Sequence, residues 1–156
     1  MSDDSNSNPK ASRVFKYAVY SGLAFASSVS LSLAGTQMVF AKPYAQKMGC
    51  LLVSLMPAVY WGFAVSKHSL KGLAQETIAT SAFMMYCASI LDGALSKKHM
   101  PFGLNPIGVG VLAHGVYDLL HYFNMLPYHD HVTTGYDLAC AVADVPLGLF
   151  MCWFWR

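Results

Sequence analysis

The sequence predicts an all-α, polytopic membrane helix bundle with about five transmembrane helices. Three observations carry that prediction. Hydrophobic residues make up 55% of the 156 positions and charged residues only 12%, against about 25% charged in an ordinary soluble domain. The ten Lys and Arg, at 10, 13, 16, 42, 47, 67, 71, 97, 98 and 156, fall in short clusters separated by long apolar runs. Those runs have the length, about 20 residues, that a helix needs to cross the hydrocarbon core of a bilayer. The chain length fits one domain.

Residues 1–15 form a polar tail whose Ser, Asp and Asn content is that of a disordered segment. A single membrane domain covers 16–156. Its first span, about 16–40, carries Gly22, Ala26, Ser30 and Ala34 at successive i+4 positions. Such a stripe lets another helix approach closely in lipid, within the chain or in a helix–helix oligomer. The same stretch also reads as a signal peptide, with Ser32-Leu33-Ala34 as a small-x-small cleavage site; the long polar leader and the stripe favour a retained helix. The second span is about 47–66, with a kink at Pro57. The third is about 72–95. The fourth, about 105–126, opens with Asn105-Pro106, an N-cap followed by proline at the first helical position. The fifth, about 133–155, takes Thr133 or Thr134 as N-cap.

Tyr44, Trp61, Phe102, Tyr128, Trp153 and Trp155 lie near span ends, where an interfacial aromatic belt belongs. Five spans divide the Lys and Arg five against five, so the positive-inside rule assigns no orientation. The net charge of +2 and the lack of a basic stripe with interleaved aromatics set nucleic-acid binding aside. Cys50, Cys87, Cys140 and Cys152 lie in apolar runs without a CxxC pair, which excludes a disulfide framework or zinc finger.

The acids are the unusual feature. Glu76, Asp92, Asp118, Asp137 and Asp144 fall inside spans, and no Lys or Arg lies well inside any of them. An ionised carboxylate at a helix centre costs about 2.5–3.5 kcal/mol on the insertion scale. These acids therefore require protons, histidines, a metal ion or a wet cavity. Glu76 and Asp92 sit near opposite ends of the third span, within reach of the interface. His114, Asp118 and His121 are spaced i, i+4, i+7 and lie within about 40° on one helix face, with Tyr117 close to it. Asp137, Cys140 and Asp144 form a second narrow stripe at i, i+3, i+7. An antiparallel hairpin would pair His114 with Asp144, Asp118 with Cys140 and His121 with Asp137. All three pairs centre on residue 129, inside the connecting loop, where a hairpin requires the centre to be. That loop holds Pro127 and His129-Asp130-His131, a solvated segment or a cap over the site. His68 and His99 read as interfacial.

Three chemistries fit these stripes. Two His with carboxylates suit zinc with an open position, or non-haem iron. His114 and His121 stand about 10.5 Å apart along the helix axis, which favours two ions, or one ion on His121, Asp118, Asp137 and a loop His. Glu76 would then be the general base for a metal-bound water. A chain of His and Asp at membrane depth is equally the pattern of a proton relay or transport path. Third, the same pairs could hydrogen-bond helices together and do nothing more.

The segment LAHGVYDLLHYFNMLPY followed by TTGYDLACAVADVPLGLF resembles an uncharacterised family of small multi-pass membrane proteins, mostly bacterial. Its pattern is a His-x3-Asp-x2-His helix, a Pro-containing loop, then a helix with a small hydroxyl pair and Cys-Ala-x2-Asp. The matching positions are His114, Asp118, His121, Pro127, Thr133-Thr134, Cys140, Ala141 and Asp144, with Glu76 as a further acidic position. Tyr122 stands where the family usually has another His. The resemblance implies that the constellation is one unit and implies no reaction. The leading expectation is an integral membrane protein that binds a divalent metal and acts on a lipid-like substrate. His114, Asp118, His121, Asp137 and Asp144 are its candidate ligands or their supports, with Tyr117, Cys140, His129 and His131 as further polar groups. The competing expectations are a non-enzymatic ion relay or transporter, and a structural subunit of a membrane complex.

Overall fold

The computed structural model describes residues 16, 17, 19, 20, 22, 42–132 and 134–153. The polar tail, most of the first span with Ala26, Ser30 and Ala34, the candidate cap Thr133, the belt residue Trp155 and the His131 side chain lie outside the described residues. Every regular element among the described residues is helical: α1 (Lys42–Leu55), α2 (Ala58–Ser66), α3 (Leu70–Leu91), α4 (Pro106–Tyr122) and α5 (Thr134–Trp153), with 3-10 turns at Lys97–His99, Pro101–Gly103 and His129–His131.

α1 and α2 are one helical stretch bent at Pro57. Proline has no N–H to return to Val53 and its ring displaces the preceding turn. The path continues through Met56 N–H to Leu52 O and Tyr60 N–H to Pro57 O, both 3.1 Å. α3 is capped by the Ser69 hydroxyl, which accepts from Gly72 N at 3.1 Å. It stops at Leu91, four residues before the expected end, because Gly93 takes a positive φ of 80° and turns the chain out of the helix. Asn105 caps α4, accepting from Ile107 N at 2.9 Å, with Pro106 as the first residue. α4 ends at Tyr122 rather than near 126, where Asn124 adopts φ 56° and Met125 N–H returns to Leu120 O at 2.8 Å.

α4 and α5 pair antiparallel along their lengths, and the approach is close enough to need glycine. A Cβ on Gly148 would lie 2.7 Å from Leu112 Cγ and 2.8 Å from its backbone N; one on Gly108 would meet the backbone of Met151 and Cys152. The far end of the hairpin is tied by Asn105 N–H donating to Cys152 O at 3.2 Å. α1, α2 and α3 pack around this pair in two layers. One layer is apolar, built from Cys50, Val53, Cys87, Ile90, Ile107, Val111, Ala143, Leu147 and Met151. The other, toward the α4–α5 loop, buries Glu76, His114, Asp118, His121, Asp137 and Asp144.

Two stretches are long and apolar enough to cross a bilayer: Gln46–Ser66 (21 residues) and Gly135–Trp153 (19 residues). Of the other expected spans, α3 has the length, 22 residues, but its Gln75, Glu76, Thr77, Thr80 and Ser81 dilute its apolar character, and α4 is 17 residues long. The packing predicts that Gly148→Ala lowers stability by about 1–3 kcal/mol, the usual cost of overfilling a tight contact. Gly62→Ala, whose Cβ would meet nothing within 4 Å, should be neutral or stabilising by up to about 1 kcal/mol. Thermal unfolding of the detergent-purified variants checks the pair, and equal midpoints would refute the close crossing.

Candidate functional site

The polar layer forms because α4 presents His114, Asp118 and His121 on one face, and three other helices bring partners to that face. α5 supplies Asp144: His114 Nδ1 lies 2.7 Å from Asp144 Oδ2 and 3.4 Å from Asp118 Oδ2, one helical turn along. α2 supplies Tyr60, which is fully buried and whose hydroxyl donates to Asp118 Oδ1 at 2.5 Å. α3 supplies Glu76, also fully buried. Its carboxylate lies 3.2 Å from His121 Nε2 and accepts from Tyr117 OH at 2.8 Å and Gln75 Nε2 at 3.1 Å.

The two histidines thus serve different carboxylates. His114 joins Asp118 and Asp144, while His121 joins Glu76. Tyr60 links the halves: its hydroxyl holds Asp118 while its ring stacks on the His121 ring, with centroids 4.7 Å apart and planes 17° from parallel. Tyr117 packs edge-on to His121 at 4.9 Å, and Phe83 edge-on to His114 at 5.5 Å. This aromatic casing excludes water, which strengthens each polar contact inside it and raises the cost of losing one.

Each expected residue has a definite place. His114, Asp118 and Asp144 come together; their candidate ligand atoms all lie within 4.8 Å of one another, and these three could hold a metal ion. Asp137 is buried next to Tyr60 and His121, and Cys140 is half-buried on the same face of α5. Glu76 is fully buried inside the bundle, whereas Asp92, its counterpart at the other end of α3, is exposed as the residue following the helix. His129 turns into its own loop, with Nδ1 2.8 Å from Leu126 O and Nε2 3.1 Å from Asp130. Among the described residues the group that could hold an ion is thus His114, Asp118 and Asp144, with His121 and Asp137 outside it. Tyr60 and Gln75 are functional-layer residues that the sequence pattern did not single out. Tyr60 carried one weak signal, a phenol in mid-span three residues after a helix-bending proline.

The donor set is one imidazole and two carboxylates on two helices. Three protein ligands leave an open position, as in catalytic zinc sites, and the nitrogen–oxygen mixture also suits iron or manganese. An ion bound there would take the place of any proton shared between the ring nitrogen and the carboxylates. Tyr60, as a hydrogen-bond donor to Asp118, orients a candidate ligand from behind, the role that outer partners play in metal sites.

Removing that support has a defined cost. Tyr60→Phe should destabilise the protein by about 1–3 kcal/mol, because Asp118 Oδ1 loses its donor inside a dry core. Denaturation of the variant beside Tyr20→Phe, an exposed position, checks this; equal losses would show that Tyr60 acts only as ring volume. Comparison with protein-family models, with curated proteins and with solved structures finds no match.

Proposed function

We propose that the chain is an integral membrane protein of about five spans whose interior holds one divalent first-row metal ion on His114, Asp118 and Asp144. That centre acts on a lipid-like substrate, in the class of metal-assisted hydrolysis. The observation that carries the reading is the convergence of three buried ligand groups within 4.8 Å, in a layer whose other charged-type groups are also acids and histidines. Two carboxylates placed side by side in a dry interior repel each other and lose hydration, and a divalent cation relieves both penalties at once. When bound, such an ion acts as a Lewis acid and brings the acidity of its water near neutrality. His121 and Glu76 lie beyond Tyr60 as a second acid–base pair.

The membrane part of the reading is supported by an inverted distribution of residue types. The interior holds Glu76, Asp118, Asp137 and Asp144, while Leu51, Leu55, Leu70, Ile78, Met85 and Leu149 are exposed. Water would penalise both choices; hydrocarbon accepts the exposed apolar side chains, and acids at membrane depth cost less inside the bundle than facing lipid.

Metal analysis of the detergent-purified protein tests the centre. The expected result is about one equivalent of zinc, iron or manganese, at least about tenfold lower in His114→Ala and Asp144→Ala and unchanged in His129→Ala. Metal-free wild type, or equal metal in all four proteins, refutes it. A proton-relay reading has one observation in its favour, the linked series Tyr60–Asp118–His114–Asp144 beside Glu76–His121. It predicts proton flux into proteoliposomes that disappears in Asp118→Asn, and is refuted by absence of flux in the wild type.

A further inference from the structure

Two of the four thiols meet inside the bundle. Cys50 on α1 and Cys87 on α3 stand 37 positions apart in the sequence, a separation that no CxxC pattern would reveal. In the fold each thiol points at the other's backbone. Cys50 Sγ donates to Cys87 O at 4.0 Å, and Cys87 Sγ donates to Cys50 O at 3.4 Å. Side chains that reach each other's carbonyls in this reciprocal way enter one gap from opposite sides. The two sulfurs are accordingly hydrogen-bond partners. Both residues are free thiols, 2% and 3% exposed. A disulfide requires side chains that face each other across a short gap, which the reciprocal contact supplies. Rotation about the two Cα–Cβ bonds can bring sulfurs already in contact to the bonding distance of about 2.05 Å. The other thiols, Cys140 and Cys152, both lie on α5.

The pair lies near the end of the bundle remote from the polar layer. Cys50 is four residues inside the apolar stretch that begins at Gln46, and Cys87 is four residues before α3 ends at Leu91. At 1.5 Å per residue each thiol is about 6 Å from that end. The route inward is short, but its last step is apolar and closed. Val53, Ile90, Ile107 and Val111 belong to the same buried cluster as the two cysteines. A reagent that reaches the sulfurs must therefore be small and uncharged. A peroxide such as hydrogen peroxide meets both conditions, whereas a charged or bulky disulfide meets neither.

We propose that Cys50 and Cys87 form a reversible redox cross-link between α1 and α3, with hydrogen peroxide as the oxidant. One thiol sulfur attacks the O–O bond of the peroxide and becomes a sulfenic acid, and the leaving oxygen departs as water with the thiol's proton. The second sulfur attacks the sulfenic sulfur, which forms the S–S bond and expels a second water with the second proton. Two thiols lose two electrons and two protons, and one peroxide is reduced to two waters. A dithiol reductant returns the pair to thiols by exchange. The bond closes a loop that contains the bend at Pro57 and the α2–α3 turn, so it fastens α1 to α3 and restricts the unfolded chain. Glu76 lies eleven residues along α3 from Cys87, about 16 Å at the helical rise. The cross-link is therefore separate from the polar layer and independent of the metal-centre reading.

Hydrogen peroxide, added stepwise to the reduced full-length protein in detergent, tests the proposal. Thiols counted after denaturation should fall from the four free cysteines to two. Peptide mass spectrometry should find Cys50 joined to Cys87, and dithiothreitol should restore the lost thiols. Oxidised glutathione should form the same link at least about tenfold more slowly, because the pair is closed to it. The oxidised protein should unfold at least about 5 °C above the reduced one. Cys87→Ala should remove both the link and the shift, and Cys50→Ala is the second variant in case the first does not fold. Both variants keep Cys140 and Cys152 and so control for oxidation elsewhere. Four surviving thiols, sulfinic acids on unlinked Cys50 and Cys87, or a link through Cys140, Cys152 or a second chain overturns the proposal. Equal rates with glutathione overturn the choice of oxidant. The expected link without a thermal shift overturns the fastening of α1 to α3.

Discussion

Four carboxyl groups and two imidazoles are buried in this helical interior, and none of the described contacts within it pairs them with Lys or Arg. A buried acid that lacks a cation must be met by hydrogen-bond donors, shared protons or a metal ion, because the interior supplies no water to do the same work. Most of the arrangement follows from that constraint. Glu76 is met by a histidine, a tyrosine and a glutamine; Asp118 by a tyrosine and a histidine; Asp144 by a histidine. Apart from Gln75, the neighbour of Glu76, each partner comes from a different turn or a different helix, so satisfying the acids also determines how the helices are rotated about their axes.

The α4–α5 hairpin is where rotation and spacing are set. Glycines at 108 and 148 let the two backbones approach until one helix touches the other's main chain. A wider crossing would carry Asp144 out of reach of His114. The apolar layer beneath, around Val111, Leu147 and Met151, holds that spacing without contributing to the chemistry. Rigidity below and polarity above divide the bundle into a support and a site.

The bend at Pro57 connects the site to its surroundings. It separates α1 from α2, and Tyr60 on α2 reaches Asp118 while Leu55 and Val59 stay at the surface. α2, starting just after Pro57, therefore supplies the tyrosine that orients a candidate ligand.

Capping and periodicity are local properties, and they were legible in the sequence. Asn105-Pro106 starts α4, Pro57 bends its helix, and the spacing of His114, Asp118 and His121 against Asp137, Cys140 and Asp144 places the hairpin centre in the loop around residue 129. The signals that end α3 and α4, at Gly93 and Asn124, were present but weaker than the apolar runs that continue past them. What the sequence could not decide was which acid meets which histidine. That choice depends on the rotation and crossing of helices separated by up to 58 positions, as Tyr60 and Asp118 are, and no local pattern encodes it. Only the tertiary packing separated His114 from His121, drew Glu76 inward while leaving Asp92 outside, and gathered His114, Asp118 and Asp144 within ligand distance of one another.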